Sequence, residues 1–189
     1  MTTALQRTLQ AGNLAITAEV MPPRGGDASH TLAMADYLKG RVHAVNVTDG
    51  SRAVMRMSSL AVCRLLLEKG LEPVLQLACR DRNRIALQGD LLGAHALGIH
   101  NLLCLTGDPV RAGDQADARQ VNEFESVKLL RQVSAFNSGE DRSREPWRME
   151  PPSCSRAVRP TPSHAAGAGC SGGFSASTMP VPASFRPRW

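Results

Sequence analysis

No stretch of about 18 apolar residues occurs in this 189-residue chain, so a membrane-spanning helix is not expected. Met1 to Gly12 lacks the apolar core of a secretory signal. The five cysteines, Cys63, Cys79, Cys104, Cys154 and Cys170, include no Cys-x-x-Cys pair, and no His stands at a zinc-like offset from any of them. A disulfide framework or structural zinc is therefore not expected, and the reading is a reduced, cytoplasmic protein. Concentrated charge is missing too. The net charge is +5, with 15 Lys+Arg against 13 Asp+Glu in residues 1–136 and 7 Arg against 4 Asp+Glu in residues 137–189. Nothing there calls for a nucleic-acid or membrane partner. What is present is ordinary for one globular domain, with 42% apolar and 21% charged residues.

The chain divides into two unlike parts. Residues 13–136 alternate strand-like and helix-like segments. Leu14 to Val20 is a short apolar run rich in β-formers, stopped by Met21-Pro22-Pro23-Arg24-Gly25-Gly26. Ala28 to Leu38 is weakly helical. Val42 to Thr48 alternates and meets the turn Asp49-Gly50. Met55 to Lys69 has helical spacing, and Gly70 ends it. Glu72 to Ala78 reads as a third strand. Asp81 is placed to cap a helix from about Arg82 to Leu97, closed by Gly98. His100 to Leu105 reads as a fourth strand, with Cys104 as a small core hydrophobe, followed by Thr106-Gly107-Asp108-Pro109. A last helix runs from about Asn122 to Ala135. Gly89 and Gly93, inside the helix from about Arg82 to Leu97, suggest close helix packing.

Strands joined by helices of this length run parallel with right-handed crossovers. Such strands are expected to be buried on both faces. A doubly wound sheet and part of a (β/α) barrel both fit. No Gly-x-Gly-x-x-Gly follows the first strand, which weighs against a dinucleotide-binding half. Polar candidates follow every strand: Glu19 with Pro22-Pro23-Arg24, Thr48-Asp49-Gly50, Cys79-Arg80-Asp81 and Thr106-Gly107-Asp108. That edge is where ligands bind in either architecture.

Residues 137–189 contain no Leu, Ile or Lys, and 22 of these 53 residues are Pro, Gly or Ser. Such a segment offers too little apolar surface to offset ordering costs of roughly 1–2 kcal/mol per residue. It is expected to be a disordered tail. The abrupt change in composition near Phe136-Asn137 fits either a frameshifted C-terminus or a natural flexible one.

The strand-end motifs carry a resemblance. Thr17-Ala18-Glu19-Val20-Met21-Pro22-Pro23-Arg24 resembles the F-E-F-x-P-P-R segment of methylenetetrahydrofolate reductases. Val45 to Gly50 is similar to that family's V-T-x-G, Gln76 to Cys79 to its H-x-T-C, and Leu105 to Asp108 to its L-R-G-D. Residues 79–94 are similar to a bacterial branch of the family. The likeness covers about residues 13–135, and four motifs in order make it specific. It implies a partial (β/α)8 TIM-type barrel of about four βα units, where the full barrel takes roughly 250 residues.

The resemblance implies flavin-dependent reduction of 5,10-methylenetetrahydrofolate to 5-methyltetrahydrofolate, with FAD as cofactor and NAD(P)H as hydride donor. Glu19 and Asp108 are the implied catalytic residues. Thr48, Gln76, Thr106, Gly107 and Asp108 are the implied flavin contacts. Gln76 stands where the family has His, and Thr106 where it has Arg; Gln76 can still donate a hydrogen bond. Opening the folate ring needs a proton, and Glu19, inside an apolar run, is expected to be desolvated toward its neutral form. Other readings are an ordinary Glu19–Arg24 pair, a structural Thr106-Gly107-Asp108 turn, and a solvated charged loop at Arg80 to Arg84. The alternative for the whole chain is a non-catalytic half-barrel that binds flavin or folate weakly, or docks on a partner subunit. Four units leave open edges, so a homo-oligomer or partner subunit is expected.

Overall fold

The computed structural model describes residues 2–139. The elements are α1 (Ala4–Gln10), β1 (Thr17–Val20), α2 (Ser29–Asp36), β2 (Ala44–Val47), α3 (Ser59–Glu68), β3 (Pro73–Ala78), α4 (Arg84–Ala96), β4 (Asn101–Leu105) and α5 (Ser126–Asn137). All strand pairs are parallel, in the spatial order β1-β2-β3-β4. Each crossover therefore moves one strand along in the same direction. A doubly wound sheet reverses direction at a switch point; no reversal occurs among the described residues, an order consistent with part of a (β/α) barrel.

Strand alternation sorts the side chains onto two faces. One face carries Val20, Val45, Val47 and Leu75 into a core with Val62, Cys63, Leu66, Ala94 and Ile99. Further along the sheet, Leu77 packs with Leu87, Leu91, Leu129, Val133 and Phe136. Burying each such side chain contributes about 1.5–3 kcal/mol. Cys104 packs against this second group, and burial pushes its thiol up to about 11. Register places Thr17, Glu19, Asn46, Gln76, Leu103 and Leu105 on the opposite, concave face. The expectation of strands buried on both faces holds for the central strands: β3 is buried throughout, and on β2 only Asn46 is partly exposed. Thr17 and Glu19 on β1 are exposed, and so is Leu103 on β4. Ala44, Val74, Gln76 and Ala78 on that same face are buried, so the exposure is confined to the two edge strands and Asn46.

The helix ends explain the placement of β3 and β4. Gly70 follows α3 with φ +75°, its amide reaches the Leu67 carbonyl, and the Leu71 amide reaches the Leu66 carbonyl at 3.0 Å. Only glycine takes that left-handed position cheaply, and the paired bonds satisfy the last helical carbonyls. Leu71 then packs beside Leu66 in the core. Gly98 repeats the arrangement after α4, with the Ile99 amide on the Ala94 carbonyl at 2.9 Å. Each glycine thus turns the chain straight into the next strand.

Several local expectations are corrected. The α4 cap is Asn83, whose side-chain oxygen accepts the Ala86 amide at 3.0 Å; Asp81 is engaged by Arg80 instead. Helix α1 had no sequence signal in the alternation pattern. It forms because Thr3 caps it and the Glu72 carboxylate accepts its Ala4 and Leu5 amides, while the Asn101 amide and the Thr3 hydroxyl tie the same cluster to β4. Helix α5 runs to Asn137, just past the expected break, and the expected tail beyond Gly139 lies outside the described residues. No helix among the described residues is long and apolar enough to cross a membrane.

Gly93 meets Leu60 at 3.9 Å, whereas Gly89 has nothing within 4 Å of a built Cβ. Close packing therefore does not explain Gly89. Its replacement by Ala should raise stability by about 0.5–1 kcal/mol, since only helix propensity changes. Urea unfolding of Gly89→Ala checks this, and a loss of stability would contradict the open surroundings.

Candidate active site at the carboxyl edge of the sheet

Loops after all four strands meet over the carboxyl edge of the sheet and line a cleft of about 280 Å³. Its walls hold Glu19 from β1, Thr48 and Asp49 after β2, Gln76 from β3, Arg80 after it, and Thr106, Gly107 and Asp108 after β4. All six residues expected from the sequence thus come to one place.

Glu19 is exposed on the concave face and accepts a hydrogen bond from Gln76 Nε2 at 3.3 Å. The desolvation expected from its apolar run is not supplied by the described residues, because neighbouring strand positions point the other way. The alternative Glu19–Arg24 pair is not formed either; Arg24 lies 3.6 Å from Asp114. Thr48 is 3% exposed, and its hydroxyl is buried without a hydrogen-bond partner among the described residues. A buried, unpartnered hydroxyl on a cleft wall costs free energy unless a ligand or water engages it.

Asp108 accepts the Arg52 amide at 2.7 Å through Oδ2. It holds the turn after β2 against the turn after β4, a bond across 56 residues of chain. Thr106 is engaged as well: its Oγ1 accepts the Ser126 amide at 3.2 Å, at the start of α5. Gly107 has φ +93°, and a Cβ there would lie 2.8 Å from the Arg80 Cβ. The turn after β4 therefore needs glycine to pass so close to the end of β3.

Two further residues shape the cleft and had no clear signal in the sequence beyond standing at strand ends. Asp49, with its side chain 9% exposed, accepts the Ala78 amide at 2.8 Å and a forked pair of bonds from Arg82 at 2.7 and 3.2 Å. Arg82 also reaches Asp90 on α4 at 2.9 Å. Arg80 is buried, donating to both Asp81 oxygens and to the Gly50 carbonyl. Its hydrogen bonds to Asp81, ahead of the opposing effect of burial, hold the guanidinium above the ordinary arginine range. The expected solvated loop at Arg80 to Arg84 is thus corrected: Arg80 and Arg82 point inward and pin the rim. Among the described residues no group of His, Cys, Asp and Glu side chains is arranged to hold a metal ion.

A family model described as methylenetetrahydrofolate reductase matches residues 4–140. The chain belongs to the methylenetetrahydrofolate reductase family. The match reaches further than the strand-end motifs alone, taking in α1 and all of α5. Membership of this family places the chain among oxidoreductase-type enzymes of folate one-carbon metabolism. No curated protein matches the chain.

Removing Asp49 should loosen the whole rim. Asp49→Ala leaves the Ala78 amide unpaired and strips Arg82 of its better partner, an expected cost of about 3 kcal/mol. Chemical denaturation measures it. A change under 0.5 kcal/mol would mean that Asp90 alone satisfies Arg82.

Proposed function

We propose that this chain reduces 5,10-methylenetetrahydrofolate to 5-methyltetrahydrofolate, using FAD and a hydride from NAD(P)H. The observation that carries the reading is the convergence of Glu19, Thr48, Gln76, Thr106, Gly107 and Asp108 on one cleft. The four family-like motifs thus end at a common place in space as well as in order. The working unit is residues 1–136, acting in the cytoplasm, with 137–189 as an appended tail.

The donor set suits the polar edge of a flavin. Thr48 brings a buried hydroxyl with no partner, Asp108 an acceptor, and Gly107 a stretch of backbone without a side chain. When bound, the flavin carries the hydride between nicotinamide and folate. Asp108 would accept an N–H of the pterin or hold negative charge near the flavin pyrimidine. Thr48 and Gln76 would fix the ring plane.

Glu19 has the remaining task. The five-membered folate ring must open to an iminium before hydride arrives, and opening requires a proton on the departing nitrogen. Glu19 Oε2 lies within reach of the Gln76 amide, which orients the carboxyl toward the cleft. Positioned proton transfer of this kind contributes about 10²–10⁴-fold in rate.

A second reading is a non-catalytic half-barrel that binds flavin or folate weakly. It is favoured by the exposure of Glu19 and by the free edges of β1 and β4 among the described residues.

Anaerobic mixing separates the two. In the first reading the purified chain binds flavin, NAD(P)H bleaches its visible absorbance, and methylenetetrahydrofolate restores it. Glu19→Gln should keep the bleaching and lose about 10²-fold or more of the restoration. A variant that restores colour at the parent rate would remove Glu19 from the mechanism. Colour that bleaches and never returns, in the parent chain, supports the second reading.

Asp108→Asn removes one charge and keeps the shape. The flavin reduction potential should rise and folate affinity should fall, read by spectroelectrochemistry and by titration. If neither moves in a flavin-bound variant, Asp108 serves only the Arg52 turn.

A further inference from the structure

We propose that two copies of this chain close one eight-stranded barrel, with β4 of each copy pairing in parallel with β1 of the other. Among the described residues β1 and β4 are each paired on one side only. The free side of β4 calls for a strand running in its own direction. The free side of β1 in a second copy is such a strand. Rotation by 180° about an axis along the strands brings them together, and the symmetry repeats the seam on the far side. Four strands from each copy make eight, the number that closes this kind of barrel.

The two seams carry the surface such a contact needs. Exposed apolar side chains flank both edges. Leu14 is 82% exposed just before β1, beside exposed Ile16, and Met34 is exposed on α2. On the other edge Leu103 is exposed on β4, and Val127 and Leu130 on α5, with Leu130 at 60%. In a closed ring α5 becomes the neighbour of α2 from the other copy. Leu130 lies about 100° round the helix from buried Leu129, on a flank rather than on the sheet-facing side.

Among the described residues, edge protection is also missing. Strand β4 reads Asn-Leu-Leu-Cys-Leu, without Pro or charge, and the one charge on β1, Glu19, belongs to the concave face. Free edges usually carry Lys, Pro or a bulge against unwanted pairing. The chain's own remaining residues are poor candidates for the gap. Residues 140–189 contain no Leu or Ile and no apolar run resembling the four strands. A second copy of this chain carries the apolar strand runs that residues 140–189 do not.

Sedimentation equilibrium of the full 189-residue chain tests this. A closed pair is expected, at twice the 20.3 kDa chain mass and not beyond. Leu130→Glu should weaken association at least about tenfold, with an unchanged far-UV spectrum. Val127→Glu serves if the first variant misfolds. Ile85→Glu, on α4 and comparably exposed but away from both edges, should leave the pair intact. Amide exchange should show β1 and β4 protected together in the parent chain and released together in Leu130→Glu, while β2 and β3 stay protected. A monomer at about 100 µM would overturn the proposal. So would an open series of larger oligomers, or equal effects of Leu130→Glu and Ile85→Glu.

Discussion

Parallel strands must send every return segment back across the sheet, and here successive crossovers all advance in one direction; nearly everything else in this molecule follows from that. The crossovers α2, α3 and α4, and the closing α5, place the apolar surface on the helix side, where Val45, Val47, Leu75 and Leu77 meet it. The same rule brings all four strand ends to one rim. The site is therefore built from loops far apart in sequence, as the Asp108–Arg52 bond illustrates. The concave face and the outer edges receive nothing from this rule, and that is where exposed Leu103, Thr17 and Glu19 lie.

Loops gathered at a rim need fixing, and here the fixing is ionic. Asp49 joins the loop after β2 to the end of β3 through the Ala78 amide, and Arg82 carries the link on to α4 through Asp90. Arg80 ties Asp81 to the Gly50 carbonyl. These charges are committed to one another. They brace the rim of the cleft, whose walls also hold Glu19, Thr48, Gln76, Gly107 and Asp108. Thr48 is the telling case, because a buried hydroxyl with no partner among the described residues costs free energy unless a water or a ligand engages it.

The alternation of strands and helices was legible because each strand is a short apolar run closed by a turn signal, and because Gly70 and Gly98 mark helix ends with a conformation few other residues take. The candidate site was legible as four polar clusters after four strands. Helix α1 was not, because its stability rests on a carboxylate, Glu72, that lies 68 residues away from the amide it accepts. The inward turn of Arg80 and Arg82 was not legible either. A run of alternating charges reads as solvated until the partners, Asp49 and Gly50 at the end of a neighbouring strand, are known. The exposure of Glu19 escaped for the opposite reason. An apolar run suggests burial, but strand alternation gives the apolar neighbours one face and the carboxylate the other.

That last point links the open edges to the chemistry. A proton donor of this kind works best where water is excluded, since desolvation favours the neutral carboxyl. Among the described residues Glu19 has a hydrogen bond from Gln76 and no cover. Its helix-side neighbours cannot provide one, because they belong to the other face of the sheet. Under the proposed closure, cover for Glu19 would come from across the concave side, from the strands that pair with β1 and β4. The same closure that satisfies the backbone edges would also dry the cleft. If Glu19 is the proton donor of the proposed reaction and the edges close as proposed, assembly and proton delivery would depend on one event.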